Sequence, residues 1–155
     1  MPTALLTKNR LLFSLITGGK FKNTTVEIKK LIEAYSKEDI NEALVTIARR
    51  GTPELLVFVI EQGANVNSKL RLVTSTGDKE YLLLEVILNS ESLTEDTKVG
   101  MVEVILKNNY DITMKNSLAK NAEEIIAKIE NKHLNEALTK VITKCNIANK
   151  KEFLW

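Results

Sequence analysis

Apolar residues recur at helical spacing along most of this chain. Val26, Ile28, Leu31, Ile32 and Tyr35 share one face of a predicted helix over residues 25–35. Thr24-Thr25-Val26-Glu27 ahead of them has the form of a capping box. Ser36-Lys37-Glu38-Asp39 opens the next run, Ile40, Ala43, Leu44, Ile47 and Ala48. Thr52-Pro53-Glu54 is the clearest start of all. It has a cap residue, a proline at the first helical position and an acid near the positive helix end. The helix it opens carries Leu55, Leu56, Phe58, Val59 and Ile60 and stops at Gly63, which accepts the left-handed conformation that helix ends favour.

Beyond Gly63 the period changes. Lys69-Leu70-Arg71-Leu72-Val73 alternates, and the turn cluster Thr74-Ser75-Thr76-Gly77-Asp78 follows it, which predicts an irregular hairpin. Helical spacing resumes over residues 82–88. Ser92-Leu93-Thr94-Glu95 caps another run, Val99, Val102, Val104, Ile105 and Leu106. Two more helices are predicted over residues 121–130 and 133–144, and residues 146–155 form a C-terminal tail without a clear pattern.

Composition narrows this picture. Two Pro and six Gly in 155 residues weigh against an all-β chain, and 44% hydrophobic residues are enough for one continuous core. Aromatics are only 5%, so aliphatic side chains must carry the packing. The formal charge of +2 does not suggest a dedicated nucleic-acid binder. The single cysteine, Cys145, cannot form an internal disulfide and suits a reducing compartment. The apolar stretch at residues 11–16 is too short for a secretory signal, and no segment reaches the length of a membrane span. The expectation is a cytoplasmic or otherwise intracellular protein, acting in the cell that makes it or delivered into another.

The chain also repeats itself. Ile47-Ala48-Arg49-Arg50-Gly51, Glu54-Leu55-Leu56 and then Ile60-Glu61-Gln62-Gly63-Ala64-Asn65-Val66-Asn67 together resemble an ankyrin repeat, the last stretch most specifically. A second copy, residues 102–113, matches residues 56–67, with Asn109 in place of the capping glycine. Asn65 and Asp111 are 46 positions apart, against roughly 33 for the family period. The excess falls in the finger over residues 67–81, about 6 longer than expected, and the inter-helix loop over residues 90–99, about 7 longer. Asn131-Lys132-His133-Leu134 resembles the family's entry to a second helix, and residues 9–18 and 25–35 look like a degenerate capping pair. The resemblance covers most of residues 9–143 and is clearest over 41–67 and 99–121. It implies an all-α, ankyrin-like helical-repeat solenoid of about four helix pairs over residues 1–145, with one long hairpin-like finger at 68–80. The family's Thr-Pro-Leu-His helix entry is replaced by Glu42-Ala43-Leu44-Val45 and by Tyr81-Leu82-Leu83-Leu84, so the hydrogen bonds those Thr and His residues make between repeats are absent. A generic α-solenoid, or a bundle with one such hairpin, is the alternative.

Catalytic chemistry finds little here. The only histidine, His133, and Cys145 lie 12 positions apart on one predicted helix. That is roughly 18 Å along the axis, so they cannot act as a nucleophile–base pair. One His and one Cys do not make a zinc site. Gly18-Gly19-Lys20 lacks the flanking residues of a phosphate-binding loop and reads as an inter-helix turn. Acidic neighbours such as Glu95-Asp96 and Glu123-Glu124 read as solvated helix starts. We therefore expect no enzyme, no cofactor and no metal.

A surface remains. The resemblance implies contacts at finger tips and at the last exposed positions of first helices. In this chain these are Arg49, Arg50, Lys69, Arg71, Asp78, Lys79, Lys115 and Asn116. Arg49, Arg50, Lys69 and Arg71 would form a basic patch suited to a protein partner with an acidic surface. Leu70, Leu72 and Val73 either pack on the neighbouring repeat or anchor a partner. Phe153, Leu154 and Trp155 either fold back over the repeat end or bind elsewhere, including to a second copy. The expected function is a non-catalytic protein–protein interaction module, an adaptor or stoichiometric inhibitor. The alternatives are a nucleic-acid-binding solenoid and a homo-oligomeric structural protein.

Overall fold

The computed structural model of the chain describes residues 2–17, 24–75 and 77–153. Among these residues there are eight helices and one two-stranded sheet: α1 (Pro2–Thr17), α2 (Thr24–Glu33), α3 (Ile40–Arg50), α4 (Pro53–Glu61), β1 (Leu70–Thr74), β2 (Gly77–Tyr81), α5 (Leu83–Leu88), α6 (Glu95–Lys107), α7 (Ala122–Ala127) and α8 (Lys132–Phe153). Consecutive helices pack in pairs, α1 on α2, α3 on α4, α5 on α6 and α7 on α8. First members adjoin in order, α1 against α3 and α3 against α5. Second members do the same, α2 against α4, α4 against α6 and α6 against α8. The expected all-α class thus holds at the coarse level, with the hairpin as the one departure.

The aliphatic spacing explains the packing. Leu44 and Ile47 of α3, Leu56 of α4, Leu83 and Ile87 of α5, Met101 and Ile105 of α6 and Leu138 of α8 are fully buried in one cluster. Each large aliphatic removed from water contributes about 1.5–3 kcal/mol. The two ion pairs among the described residues, Lys29–Glu54 at 3.3 Å and Lys120–Glu124 at 3.7 Å, are exposed. Such pairs contribute about 0–1 kcal/mol, so burial decides the fold.

Helix ends follow their local chemistry. The Thr52 hydroxyl accepts the Leu55 N–H at 3.2 Å, and Thr94 caps α6 in the same way. After α4, Gly63 has φ +110°, the Ala64 N–H reaches the Val59 carbonyl at 3.2 Å and the Gly63 N–H that of Ile60 at 3.0 Å. This double closure satisfies carbonyls that the helix leaves open. After α6, Asn109 sits at φ +66° and the Tyr110 N–H reaches the Ile105 carbonyl at 3.1 Å. Asn109 therefore occupies the position of Gly63, as the alignment of the two copies predicts.

Some boundaries differ from expectation. The hairpin is regular, with Leu70 opposite Tyr81, Arg71 opposite Glu80, Leu72 opposite Lys79 and Thr74 opposite Gly77. Part of the excess assigned to the 90–99 loop is helix, because α6 begins at Glu95 under the Thr94 cap. Helix α1 starts at Pro2, seven residues before the predicted 9–18 segment, and α8 continues through residues 146–153 of the tail without a break in the backbone.

Candidate functional site

The last turn of α3 ends in Arg49 and Arg50, both exposed, on the side of the chain that faces the hairpin finger. Two basic residues at a helix C-terminus also offset the negative end of the helix dipole. Gly51 follows immediately, where a Cβ would come within 2.8 Å of the Ile47 carbonyl, so only glycine lets the chain turn there without displacing α3. The Ser90 hydroxyl donates to the Arg49 carbonyl and ties the end of α3 to the loop after α5.

These residues line a groove of about 440 Å³ built from three elements. Arg49 and Arg50 come from α3, Leu72 and Tyr81 from the hairpin, and Glu85 and Val86 from α5, with Asn89, Ser90, Glu91 and Ser92 following it. Alternation along a strand places Leu70, Leu72 and the cross-strand Tyr81 on one hairpin face. Leu70 is buried, and Leu72, half-buried, reaches the groove. Both Leu70 and Leu72 pack against the core, while Val73's side chain lies outside the described residues.

The charges in the groove are unevenly satisfied. The Glu85 carboxylate accepts the Leu82 N–H at 3.0 Å through one oxygen and the Asn116 side-chain amide at 3.0 Å through the other. The Arg50 guanidinium stacks on the Phe13 ring of α1, 4.6 Å from its centroid. Among the described residues neither Arg49 nor Arg50 has a carboxylate within ion-pair distance.

The other predicted contact residues lie apart from this pair. Lys69, Lys115 and Asn116 line a smaller cleft of about 90 Å³ with Glu80, Tyr81, Leu82 and Ser117. Asn116 is committed to the fold: its side-chain oxygen accepts the Leu118 and Lys120 N–H groups at 3.0 and 2.9 Å, organising the second finger. Arg71 lies across from Glu80 on the hairpin face opposite Leu72. Asp78 and Lys79 are exposed near the hairpin turn, and none of these three lines either cleft. The four-residue basic patch is therefore split, with Arg49 and Arg50 in the groove and Lys69 and Arg71 outside it.

Other polar side chains tie helices and turns together across the chain. Asn41 accepts the Asn65 N–H at 3.2 Å and donates to the Ser68 hydroxyl at 3.3 Å. Asn67 spans to Asn109 and Asp111, and Glu85 to Asn116. One signal for them is visible in the chain: Asn65-Val66-Asn67 and Asp111-Ile112-Thr113 make the same turn, each acid or amide accepting the N–H two residues on at 2.9 Å.

His133 is exposed in the first turn of α8, and Cys145, half-buried, lies further along the same helix. Among the described residues no group of three or more His, Cys, Asp or Glu could hold a metal ion, and no helix is long and apolar enough to cross a membrane. Gly18-Gly19-Lys20 and the terminal Leu154 and Trp155 lie outside the described residues, as does the side chain of Phe153. No known protein family matches this chain, and no curated protein or solved structure shows significant similarity to it.

Proposed function

We propose that the protein is an ankyrin-like helical-repeat solenoid that binds another protein through the groove between its hairpin finger and the first helices of its pairs. Four helix pairs, with first members adjoining from α1 through α5 and second members from α2 through α8, support the solenoid, as do the equivalent closures at Gly63 and Asn109. The observation that carries the binding reading is the groove itself. Three sequence-distant elements converge on it and bring two arginines with no carboxylate partner among the described residues beside the half-buried Leu72 and Tyr81. A surface of this kind presents its contacts already ordered, so little is lost in fixing them on association. The role is that of an adaptor or stoichiometric inhibitor without catalysis.

The test is affinity capture from cell lysate with wild type, Arg49→Glu with Arg50→Glu combined, and Arg71→Glu alone, after matching their helical circular dichroism. A specific protein retained by wild type and Arg71→Glu but lost from the double variant is the expected result. Equal capture by all three would remove the groove as the binding surface. Recovery of nucleic acid alone, released steeply by salt, would favour a nucleic-acid-binding solenoid instead.

A further inference from the structure

We propose that the occupant of this groove is a short acidic segment of the partner protein in which a carboxylate stands beside a large apolar side chain. This rests on the groove being the binding surface. The chemistry of its wall is of two kinds, and each asks for a different group.

The first kind is cationic. Arg49 and Arg50 both line the groove, and neither is neutralised by a described carboxylate. The groove has two carboxylates of its own. Glu85 is held by the Leu82 N–H and the Asn116 amide, so its oxygens are turned to the fold. Glu91 stands on the exposed loop after α5, outside ion-pair distance of both arginines. The Arg50 guanidinium sits over the Phe13 ring, 4.6 Å from its centroid, and the residue remains exposed. A planar fork already ordered on an aromatic ring loses little freedom when a carboxylate docks on its N–H edge.

The second kind is apolar. Leu72 and Tyr81, both half-buried, project from the same hairpin face, with the buried Val86 of α5 behind them. A carboxylate alone would leave these groups uncovered, so an apolar side chain must accompany it. Asn89 and Ser92 add polar groups able to meet the backbone of the segment. A nucleic acid is the poorer match. Its phosphates repeat along the strand, whereas the two arginines of the groove are confined to the last turn of α3.

The experiment is selection of a random seven-residue peptide display library on the immobilised full chain, followed by anisotropy titration of a synthetic peptide from the enriched set. Enrichment of Asp or Glu next to Leu, Phe or Trp is expected. Combining Arg49→Ala and Arg50→Ala should weaken that peptide about tenfold, the size of one close charge-pair coupling. The same loss should follow from replacing the peptide's acid by its amide, with no further loss when both changes are combined. Arg49→Lys with Arg50→Lys keeps the charge at the helix end and should still lose several-fold affinity, because the fork is gone. Arg71→Ala should leave binding unchanged. Enriched peptides without an acid, an unchanged affinity for the alanine double variant, or no enrichment at all would overturn the proposal. Lysate capture that still depends on Arg49 and Arg50 in any of those cases would leave the groove as the binding surface and remove only this occupant.

Discussion

Asn67, in the turn after α4, is bonded to Asn109, in the turn after α6. Its side-chain amide donates to the Asn109 carbonyl at 3.0 Å, and its oxygen accepts the Asp111 N–H at 2.8 Å. One side chain thus holds the left-handed turn after α6 and the first residue beyond it. Two bonds of this type contribute about 1–2 kcal/mol together. Asn67→Ala is expected to lower the unfolding free energy obtained from urea titration by that amount. Asn67→Asp should cost at least as much, because the donor is lost and a carboxylate is set against the Asn109 carbonyl.

The same turn offers a stabilising change. Asn109 holds φ +66°, where a side chain costs about 1 kcal/mol relative to glycine. Asn109→Gly should raise stability by up to about 1 kcal/mol, and Asn109→Val should lower it by more than that. Gly63→Ala is the counterpart: φ +110° with open space around the Cβ position means a penalty that is conformational, not steric. Thermal unfolding of the three variants checks the equivalence of the two helix ends directly.

Two buried tyrosines should respond oppositely to loss of the hydroxyl. The Tyr35 hydroxyl donates to the Asn9 side chain at 2.7 Å. The Tyr110 hydroxyl is buried near the Leu84 backbone without a well-formed hydrogen bond. Tyr35→Phe should destabilise by about 1 kcal/mol, whereas Tyr110→Phe should be neutral or stabilising, since an unsatisfied polar atom is removed. Burial is the main reason both phenols are held neutral well above the usual tyrosine range. Equal losses in urea titrations of the two variants would contradict this assignment.

Asp111 links stability to pH. Its carboxylate accepts the hydroxyl and the N–H of Thr113, the hydroxyl being the larger cause, and these hold its pKa below the usual 3.8. A depressed folded pKa favours the native state above the unfolded value, and that contribution is lost as pH falls through the folded one. Wild type should therefore lose stability below about pH 4 more steeply than Asp111→Asn, with the two curves parallel above pH 5. Urea midpoints measured from pH 2 to 7 make the comparison.

Gly51 connects the fold to the groove. A Cβ there would meet the Ile47 carbonyl at 2.8 Å and the Ile47 side chain at 3.0 Å. Gly51→Ala should cost about 1–3 kcal/mol by overpacking and shift the adjoining arginines. Peptide or partner affinity should fall in this variant even at temperatures where its circular dichroism is native.

Much of this architecture was legible in the chain because its causes are local. Thr52-Pro53-Glu54 starts a helix through bonds made within one turn, and Gly63 ends it because that backbone angle suits glycine. Asn109 could be matched to Gly63 by spacing alone, since the two copies share one period of apolar residues. Arg49 and Arg50 were readable as exposed because they follow the buried Ile47 and Ala48 on a helix of known register. What only the tertiary structure decided depends on distance through space. The hairpin register turns Arg71 away from Leu72, so of the four basic residues only Arg49 and Arg50 share the groove, Lys69 lining a second cleft and Arg71 neither. Asn116, read as a contact residue, is drawn inward by Glu85, 31 positions away, and Phe13 of α1 becomes the platform for Arg50. Spacing along a chain records which residues share a face of one element, whereas the meeting of faces from different elements is set by packing, which no local pattern contains.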